Sequence, residues 1–402
     1  MRVQTAVVGV GATPYFKRGQ SVPETQLSMA CTAILAALGD AGLTIADLDG
    51  FAIYSNAVDP AQVAAVLGVP EVRFAASLTS GGGGSAGSLG LAAAAIHAGM
   101  AEVCVSLMTL QQADRRLGGS AVNGHSMYVG GGGSAGPYGA GGIPPSMAFS
   151  ASSGIISPGH SFSILTQRHM HLYGTTREHL AEVAINQRNN AMPRTTALQR
   201  SPLTEEIYFN ARMISDPLCL FDYTLESDGA VAVVITSAAR AADLQQPPVY
   251  IMASANGGLG RWGPALGGYF QQPDDYFASS GHRPVARRMY EMAGITPADV
   301  DVALFYDHFS PMVLLQLEDY GFCGIGESGP FVAEGNIRLG GRIPVNTHGG
   351  NLSEAYIIGM THVREAVEQL RGVAVNQVPG AEVALVTGGP ASLPVSGTLL
   401  SR

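Results

Sequence analysis

The sequence is poor in charged side chains and in cysteine. Only 13% of its 402 residues are Asp, Glu, Lys or Arg, and the formal net charge is −9. This composition offers no basic stripe that could bind a nucleic acid. Because few side chains are charged, much of the surface must be neutral, and we expect another subunit to cover part of it. The four cysteines, Cys31, Cys104, Cys219 and Cys323, show no CxxC spacing. Isolated cysteines favour a reducing, cytoplasmic location without disulfides or a cysteine-based zinc site.

Hydrophobic segments typical of export or of membranes are also missing. Residues 1–16 show no charged region followed by a long apolar core, so no signal peptide is predicted. No run of 18 apolar residues occurs, and no membrane span is expected.

An internal repeat predicts two similar α/β halves. Residues 41–54 match residues 293–306, and the glycine run at 81–84 with its following helix and strand matches the segment that begins at residue 348. Internal repeats outrank local propensity when a fold is assigned. We therefore predict halves at residues 1–240 and 241–402. The first half carries an insertion at about residues 111–200, with a Gly-, Ser- and Met-rich part at 118–158 and a helix at 177–190.

The most polar turn of the chain lies between a predicted strand and an apolar helix. Five polar side chains surround a Gly349-Gly350 pair there: Asn346, His348, Asn351, Glu354 and Tyr356. Loops that are held by a rigid scaffold concentrate functional residues. We therefore predict a functional site at this turn, with a purely structural glycine turn as the alternative.

A second polar stretch, Tyr306-Asp307-His308, follows the repeated strand of the second half. If the strand continues this far, Tyr306 and His308 share one face. A packing role is the alternative for Tyr306, as for Tyr54 in the first copy. Four possible metal ligands, Asp307, His308, His348 and His362, lack the spacing of a known metal motif, so no metal site is predicted.

Together these features resemble the thiolase superfamily, and most closely its sterol-carrier or lipid-transfer branch. The residues that carry the resemblance are the duplicated halves, Tyr-Asp-His-Phe-Ser at 306–310, Asn-Thr-His-Gly-Gly-Asn at 346–351 and Glu-Ser-Asp-Gly-Ala at 226–230. The resemblance covers nearly the whole chain. It implies an α/β thiolase fold, which is a duplicated five-layer αβαβα arrangement, and it implies a homodimer.

The sequence departs from thiolases at the residues of the acyl-transfer mechanism. The position of the acyl-accepting cysteine falls near Gly82, and Val386-Thr387-Gly388 replaces the second Cys-x-Gly motif. Tyr356 stands where thiolases have the Gly-His-Pro histidine, and Tyr306 replaces the histidine of the lipid-transfer branch's His-Asp-x-Phe motif. With no thiol at either position, an acyl-enzyme mechanism is not available.

The paired tyrosines resemble the thiolase-fold aldolases of bacterial steroid side-chain degradation. This resemblance implies retro-aldol cleavage of a β-hydroxyacyl-CoA, whose hydroxyl sits on a steroid ring carbon, to a 17-ketosteroid and propionyl-CoA. CoA would be part of the substrate, and no cofactor on the chain is implied. The resemblance also implies a partner protein with a zinc ribbon and an OB-fold. Retro-aldol chemistry needs a base and an acid, and we predict Tyr356 as the base and Tyr306 as the acid.

Supporting residues are predicted around the two tyrosines. His348 and the backbone amides at Gly82 and Gly349 are candidates for holding the thioester oxygen. Asp307, which directly follows Tyr306, is predicted to support the same site.

Arg188 and Arg194 in the insertion are candidates for the phosphates of CoA, with scattered surface arginines as the alternative. Two other functions stay open from the residues alone. One is a non-catalytic acyl-CoA or lipid-binding protein, or a scaffold for a partner enzyme. The other is a thiolase whose nucleophile is displaced to Cys104 or Cys323.

Overall fold

The computed structural model describes residues 4–54, 58–78, 82–112, 152–155, 157–258, 277–389, 391 and 394–402. Most of the Gly-, Ser- and Met-rich stretch at 118–158 therefore lies outside the described residues. In the described part of the chain, no helix is long and apolar enough to cross a membrane.

The first half forms a mixed sheet. Its strands are β1 (Thr5–Ala12), β2 (Phe16–Lys17), β3 (Gly50–Tyr54), β4 (Phe74–Leu78), β5 (Val103–Leu110), β6 (Met213–Ser215), β7 (Leu218–Cys219) and β8 (Ser227–Ser237). The strand order is β1–β8–β5–β3–β4, with β2 beside β8 and a separate β6–β7 ribbon. β8 runs antiparallel to β1 and β5, whereas β5, β3 and β4 are parallel.

The second half repeats this pattern with β9 (Val249–Gly257), β10 (Val302–Leu304), β11 (Val383–Gly388) and β12 (Val395–Ser401). Its order is β9–β12–β11–β10, and β12 is antiparallel to both neighbours while β10 and β11 are parallel. A short β1–β9 pairing joins the two sheets. The predicted duplication is thus confirmed in the strand topology, and the predicted boundary at 240/241 falls between β8 and β9.

The register of the repeat agrees with the sequence match. Gly50 pairs with Cys104 in the first half, and its counterpart Val302 pairs with Ala384 in the second. The matched aspartates also behave alike. Asp49 accepts from the amides of residues 102 and 103 at 2.9–3.0 Å, and Asp301 accepts from those of residues 382 and 383 at 2.8–2.9 Å.

Twelve α-helices are described, and they complete the layers. They are α1 (Gln26–Ala41), α2 (Pro60–Leu67), α3 (Gly84–His97), α4 (Pro158–Tyr173), α5 (Arg177–Ala191), α6 (Glu205–Phe209), α7 (Ala238–Ala241), α8 (Arg283–Ala293), α9 (Pro311–Asp319), α10 (Ser328–Ala333), α11 (Gly350–Ser353) and α12 (Met360–Arg371). α1 covers the outside of the first sheet, and α8 covers the outside of the second. α3 and α12 lie in the middle layer. The result is the five-layer αβαβα order.

Small residues bring α3 close to the second sheet. A Cβ atom at Gly87 would lie 2.7 Å from Asn256 Nδ2, and one at Gly90 would lie 2.4 Å from Ser254 Oγ. Glycine is therefore needed for this approach. The close packing fixes the start of α3, so that Gly82 just before it reaches the polar stretches of the second half.

The insertion packs on the other half of the molecule. Phe162 of α4 and Leu180 and Val183 of α5 share a buried core with Phe309 and Met312 of the second half. The predicted helix at 177–190 is confirmed as α5. Its buried apolar face packs on α9, α10 and α11 of the second half.

Candidate active site

The hydroxyl groups of Tyr306 and Tyr356 meet at the centre of the two polar stretches. Their oxygen atoms are 2.8 Å apart, and each side chain is only 1% exposed. The rings meet edge to face, at a centroid distance of 6.3 Å and an angle of 77°. The structure therefore brings together the two tyrosines that are 50 positions apart in the sequence.

Tyr306 is held in place through its backbone. The strand β10 ends at Leu304, so the condition under which Tyr306 and His308 would share a strand face is not met. The Tyr306 amide instead donates to Thr387 Oγ1 at 2.9 Å, and its carbonyl accepts from Gln316 Nε2 at 3.0 Å. Sequence reasoning missed both partners, although Thr387 lies in the motif that replaces the thiolase Cys-x-Gly.

Tyr356 is anchored by Ser227 of the first half. The Ser227 hydroxyl accepts from the Tyr356 amide at 2.8 Å and donates to the Tyr356 carbonyl at 3.0 Å. Two residues later, Ile358 has a φ of +44°, a backbone conformation that is costly for a β-branched residue. Ser227 was missed as a site residue, although the Glu-Ser-Asp-Gly-Ala motif that contains it supplied a signal.

Gly82 lies directly against the phenol of Tyr306. A Cβ atom at residue 82 would be 2.4 Å from Tyr306 Cζ and 2.5 Å from its hydroxyl oxygen. Gly359 approaches the same ring from another side, since its Cβ would lie 2.7 Å from Cδ2. The tyrosine ring therefore occupies the volume that a side chain at residue 82 would need.

Asp307 links the two polar stretches. Its Oδ1 accepts from the Asn351 amide at 2.8 Å and lies 3.1 Å from His362 Nε2. The ring of His362 in turn stacks on Tyr306, with centroids 6.4 Å apart. Asp307 thus contacts both the start of α11 and the imidazole that stacks on Tyr306, and its predicted supporting role stays a prediction. His362 was noticed in the sequence only as a possible ligand.

His308 presents a neutral imidazole to Tyr306. Its ring lies edge to face with that of Tyr306 at 5.2 Å and with that of Phe162 at 4.5 Å. Burial lowers the pKa of His308 to about 3. Its Nδ1 has no hydrogen-bond partner in the described structure. An uncharged imidazole beside a phenol provides a polar contact without adding a buried charge.

His348 and Gly349 do not point their polar groups at the tyrosine pair. His348 is fully buried and packs edge to face on His362 at 4.8 Å, one layer behind Tyr306. The amide of Gly349, whose φ is +102°, already donates to the Asn346 carbonyl at 2.8 Å. The expectation that this amide holds the thioester oxygen therefore does not fit the structure. For His348, the position favours a role in supporting the site.

Arg194 is a core residue, and the expectation that it binds the phosphates of CoA is corrected. Its side chain is 3% exposed and forms ion pairs with Glu354, Glu365 and Glu368. A guanidinium that is buried and already neutralised by three carboxylates is not presented to a phosphate at the surface. Arg188 is 6% exposed and donates to the Ser353 hydroxyl and to a backbone carbonyl, so it is also engaged inside the protein.

The cysteines do not supply a displaced nucleophile. Burial raises the pKa of Cys104, in the centre of β5, to about 12, and it raises the pKa of Cys323 to about 12 as well. A nucleophilic cysteine needs a lowered pKa. No group of three or more His, Cys, Asp or Glu residues that could hold a metal ion occurs in the described residues.

Known proteins share this architecture along the whole chain. The model for the thiolase C-terminal domain-like family matches residues 268–400. The 17-hydroxy-3-oxo-4-pregnene-20-carboxyl-CoA lyase of Mycobacterium tuberculosis is 38% identical over 99% of both chains. The steroid side-chain-cleaving aldolase of Thermomonospora curvata is 36% identical, over 98% of this chain and 97% of the relative.

A solved structure agrees with these relatives. The structure of an Ltp2-ChsH2(DUF35) aldolase superimposes with a TM-score of 0.88 at 34% sequence identity, and the match covers 99% of this chain and 98% of the other. Full-length relatives at this identity share more than a fold. The chain therefore belongs to the thiolase superfamily, in the group that contains the steroid side-chain-cleaving aldolases.

Proposed function

We propose that this chain is a carbon–carbon lyase that cleaves a steroid acyl-CoA by a retro-aldol reaction. The substrate would be a β-hydroxyacyl-CoA with its hydroxyl on a ring carbon, and the products would be a 17-ketosteroid and propionyl-CoA. The observation that carries the proposal is the 2.8 Å contact between the Tyr306 and Tyr356 hydroxyls, beside Gly82 where a thiolase would need its thiol.

The chemistry needs one proton to move from oxygen to carbon. Tyr356 takes the proton of the substrate hydroxyl and passes its own proton to Tyr306 across the 2.8 Å contact. The carbon–carbon bond breaks as the ring C=O forms, and the electron pair moves into the thioester enolate. In the same relay, Tyr306 gives its own proton to the enolate carbon as it receives the proton of Tyr356, so that neither phenol carries two protons. The proton balance closes inside the site, so neither a cofactor nor a stable phenolate is required before the reaction begins.

The geometry also limits which groups can stabilise the enolate. Gly82, which touches the Tyr306 phenol, remains a candidate for holding the thioester oxygen through its backbone amide. A donor at this place would act where negative charge develops, which is the most effective position for electrostatic stabilisation.

The test is turnover of a ring-hydroxylated steroid acyl-CoA, with detection of the ketone and of propionyl-CoA. Tyr306→Phe and Tyr356→Phe each remove one hydroxyl and should lower kcat roughly 10²-fold or more. Tyr290→Phe is the matched control. Tyr290 lies on α8, outside the site, and its hydroxyl donates to the Tyr320 carbonyl. Wild-type activity in both site variants would contradict the proton path. No ketone from the wild type, with or without a partner protein, would favour the non-catalytic acyl-CoA-binding alternative.

The assembly that we propose has two components besides the substrate. A partner of the DUF35 type, which the resemblance describes as a zinc ribbon with an OB-fold, is supported by the name of the similar ChsH2 complex. A homodimer is supported by β4, whose only strand partner among the described residues is β3, so that one edge of the sheet is open. Co-expression with that partner and measurement of the complex mass would test both. The four free thiols suit the cytoplasm, which we propose as the location.

A further inference from the structure

A buried group of five charged side chains lies behind the active-site turn. This group, here called the Arg194 cluster, contains Arg194, Arg364, Glu354, Glu365 and Glu368. Arg194 donates to all three carboxyl groups, and Arg364 Nε donates to Glu368 at 2.7 Å. The side chains of Arg194, Glu354 and Glu365 are at most 3% exposed.

The cluster does not balance its charge if every carboxyl group is ionised. Two guanidinium groups and three carboxylates leave one net negative charge. An uncompensated charge in a protein interior is costly, and the usual response is uptake of a proton. The nearby Tyr15 phenol is kept neutral, since burial raises its pKa to about 12. One additional proton therefore has to be held by one of the carboxyl groups or by a base that touches them.

Two of the three carboxyl groups are fully occupied as hydrogen-bond acceptors. Glu365 Oε1 accepts from Thr347 Oγ1 at 2.6 Å and from Gln369 Nε2 at 3.0 Å, while its Oε2 accepts from Arg194 at 2.7 Å. Both oxygens of Glu368 accept from guanidinium groups. Such complete donor sets favour the ionised carboxylate, and in Glu365 they oppose the burial that raises its pKa.

Glu354 differs, because one of its oxygens has no donor. Its Oε1 accepts from Arg194 and from Thr196, but Oε2 has no hydrogen-bond partner among the described residues. Oε2 lies 3.9 Å from His348 Nε2, and neither ring nitrogen of His348 has a hydrogen-bond partner there. Both side chains are 0% exposed. A hydrogen bond between the two atoms requires the carboxyl group to approach the imidazole by about 0.7 Å or more, and the broad last torsion of the glutamate can contribute to this movement.

The environment agrees with an uncharged pair. Burial raises the pKa of Glu354 despite the opposing effect of Arg194 and Arg364. Burial, followed by the charges of His362, Arg194 and Arg364, keeps the pKa of His348 well below its usual range. A protonated carboxyl next to a neutral imidazole satisfies both conditions at once.

We propose that Glu354 is an uncharged carboxylic acid in the folded protein, that it donates its proton to His348 Nε2, and that this pair positions the two tyrosines. The inference rests on the proposed function for its catalytic consequence. Glu354 lies two residues before Tyr356 on the same turn. His348 packs on His362, which stacks on Tyr306. The pair therefore supports both hydroxyl-bearing rings from behind without adding charge to the site.

Matched glutamine variants test the protonation state. Glu354→Gln replaces the acid by a neutral group of the same shape, whose oxygen still accepts from Arg194 and whose NH₂ still donates to His348. We expect its Tm and kcat to stay close to those of the wild type. Glu365→Gln instead removes an ionised partner of Arg194, and its Tm should fall by roughly 5 °C or more. If the Tm of Glu354→Gln falls as far as that of Glu365→Gln, the proposal is overturned.

The catalytic consequence has its own readout. Glu354→Ala removes the donor and should lower kcat about 10-fold or more with little change in KM, because a shift of the tyrosines affects the reaction more than binding. Rescue of kcat by Glu354→Gln identifies the hydrogen-bond donor as the cause. An equal loss of kcat in both variants would show that the carboxylate charge is needed, and would contradict the proposal.

A spectroscopic measurement separates this inference from the proposed function. In protein labelled with ¹⁵N-histidine, the His348 signals, assigned by their loss in His348→Gln, should show a neutral ring with its proton on Nδ1 at pH 7. A doubly protonated His348 would refute the uncharged pair. If the neutral ring is found but no steroid acyl-CoA is cleaved, the uncharged pair stands and the proposed reaction fails.

Discussion

Replacement of Gly82 by alanine is the most direct test of the packing around Tyr306. The added methyl carbon would lie 2.4 Å from Tyr306 Cζ and 2.5 Å from the hydroxyl oxygen. Ordinary contacts of this kind begin at about 3.4 Å, so the phenol has to move by roughly 1 Å. A displacement of this size breaks the 2.8 Å contact with Tyr356. Misplacement of a reacting group by about 1 Å costs about 10²-fold in rate, and we expect a loss of that order in kcat.

The assay is turnover of the steroid acyl-CoA, together with thermal unfolding. Overpacking of a filled site should also destabilise the protein by about 1–3 kcal/mol. Gly39→Ala is the matched control, because a Cβ at Gly39 in α1 meets no atom within 4 Å. This control should keep full activity and be as stable as the wild type or slightly more stable, since alanine is favoured over glycine inside a helix.

A double variant then separates displacement of the phenol from general damage. If Gly82→Ala acts by moving the Tyr306 hydroxyl, adding Tyr306→Phe should cost little further activity, because the hydroxyl is already misplaced. Fully additive losses would argue against this mechanism. Wild-type kcat in Gly82→Ala would refute the reasoning altogether, since it would mean that the phenol position does not matter.

Two further predictions concern the support of the tyrosines and the response to acid. Ser227→Ala removes two hydrogen bonds from the Tyr356 backbone and should cost about 1–3 kcal/mol of stability and roughly 10-fold or more in kcat; unchanged values for both would contradict the anchoring role. His308, with its folded pKa lowered to about 3, binds fewer protons in the folded than in the unfolded protein between about pH 6.5 and 3. Stability contributed by this neutral histidine is therefore lost as the pH falls through that window, by about 1.4 kcal/mol per pH unit. Denaturant titrations of His308→Gln should show a shallower pH dependence than the wild type by that amount, and identical slopes would refute the assignment.

Local patterns in the sequence predicted the architecture well. The repeat at residues 41–54 and 293–306 placed the matched strands in the same register, because the segments with which they pair are repeated as well: Asp49 accepts from residues 102 and 103, and Asp301 accepts from residues 382 and 383. The two tyrosines were predicted as a pair only because their positions resemble those of the catalytic histidines of a known family. Their 2.8 Å contact depends on packing between the halves.

The roles that were misjudged depend on partners that are distant in the sequence. Arg194 looked like one of several scattered arginines, but its partners Glu354 and Glu365 come from segments 160 and 171 positions away. These contacts leave no spacing signal in the sequence, since they are set by how the active-site turn packs against the insertion. The amide of Gly349 is the exception, because it donates to the carbonyl of Asn346 only three residues earlier, in a local turn.

The crossing of α4 and α5 onto the second half has a consequence for synthesis on the ribosome. These helices are translated more than 100 residues before the segments that bury Phe162, Leu180 and Val183. In a nascent chain that ends after β8, the apolar face of α4 and α5 that the second half buries in the folded protein is therefore still exposed. Domains usually fold as they emerge, but this half cannot complete its packing until the second half follows, and a chaperone would protect it in the interval. Separately expressed halves would need to meet quickly to avoid aggregation.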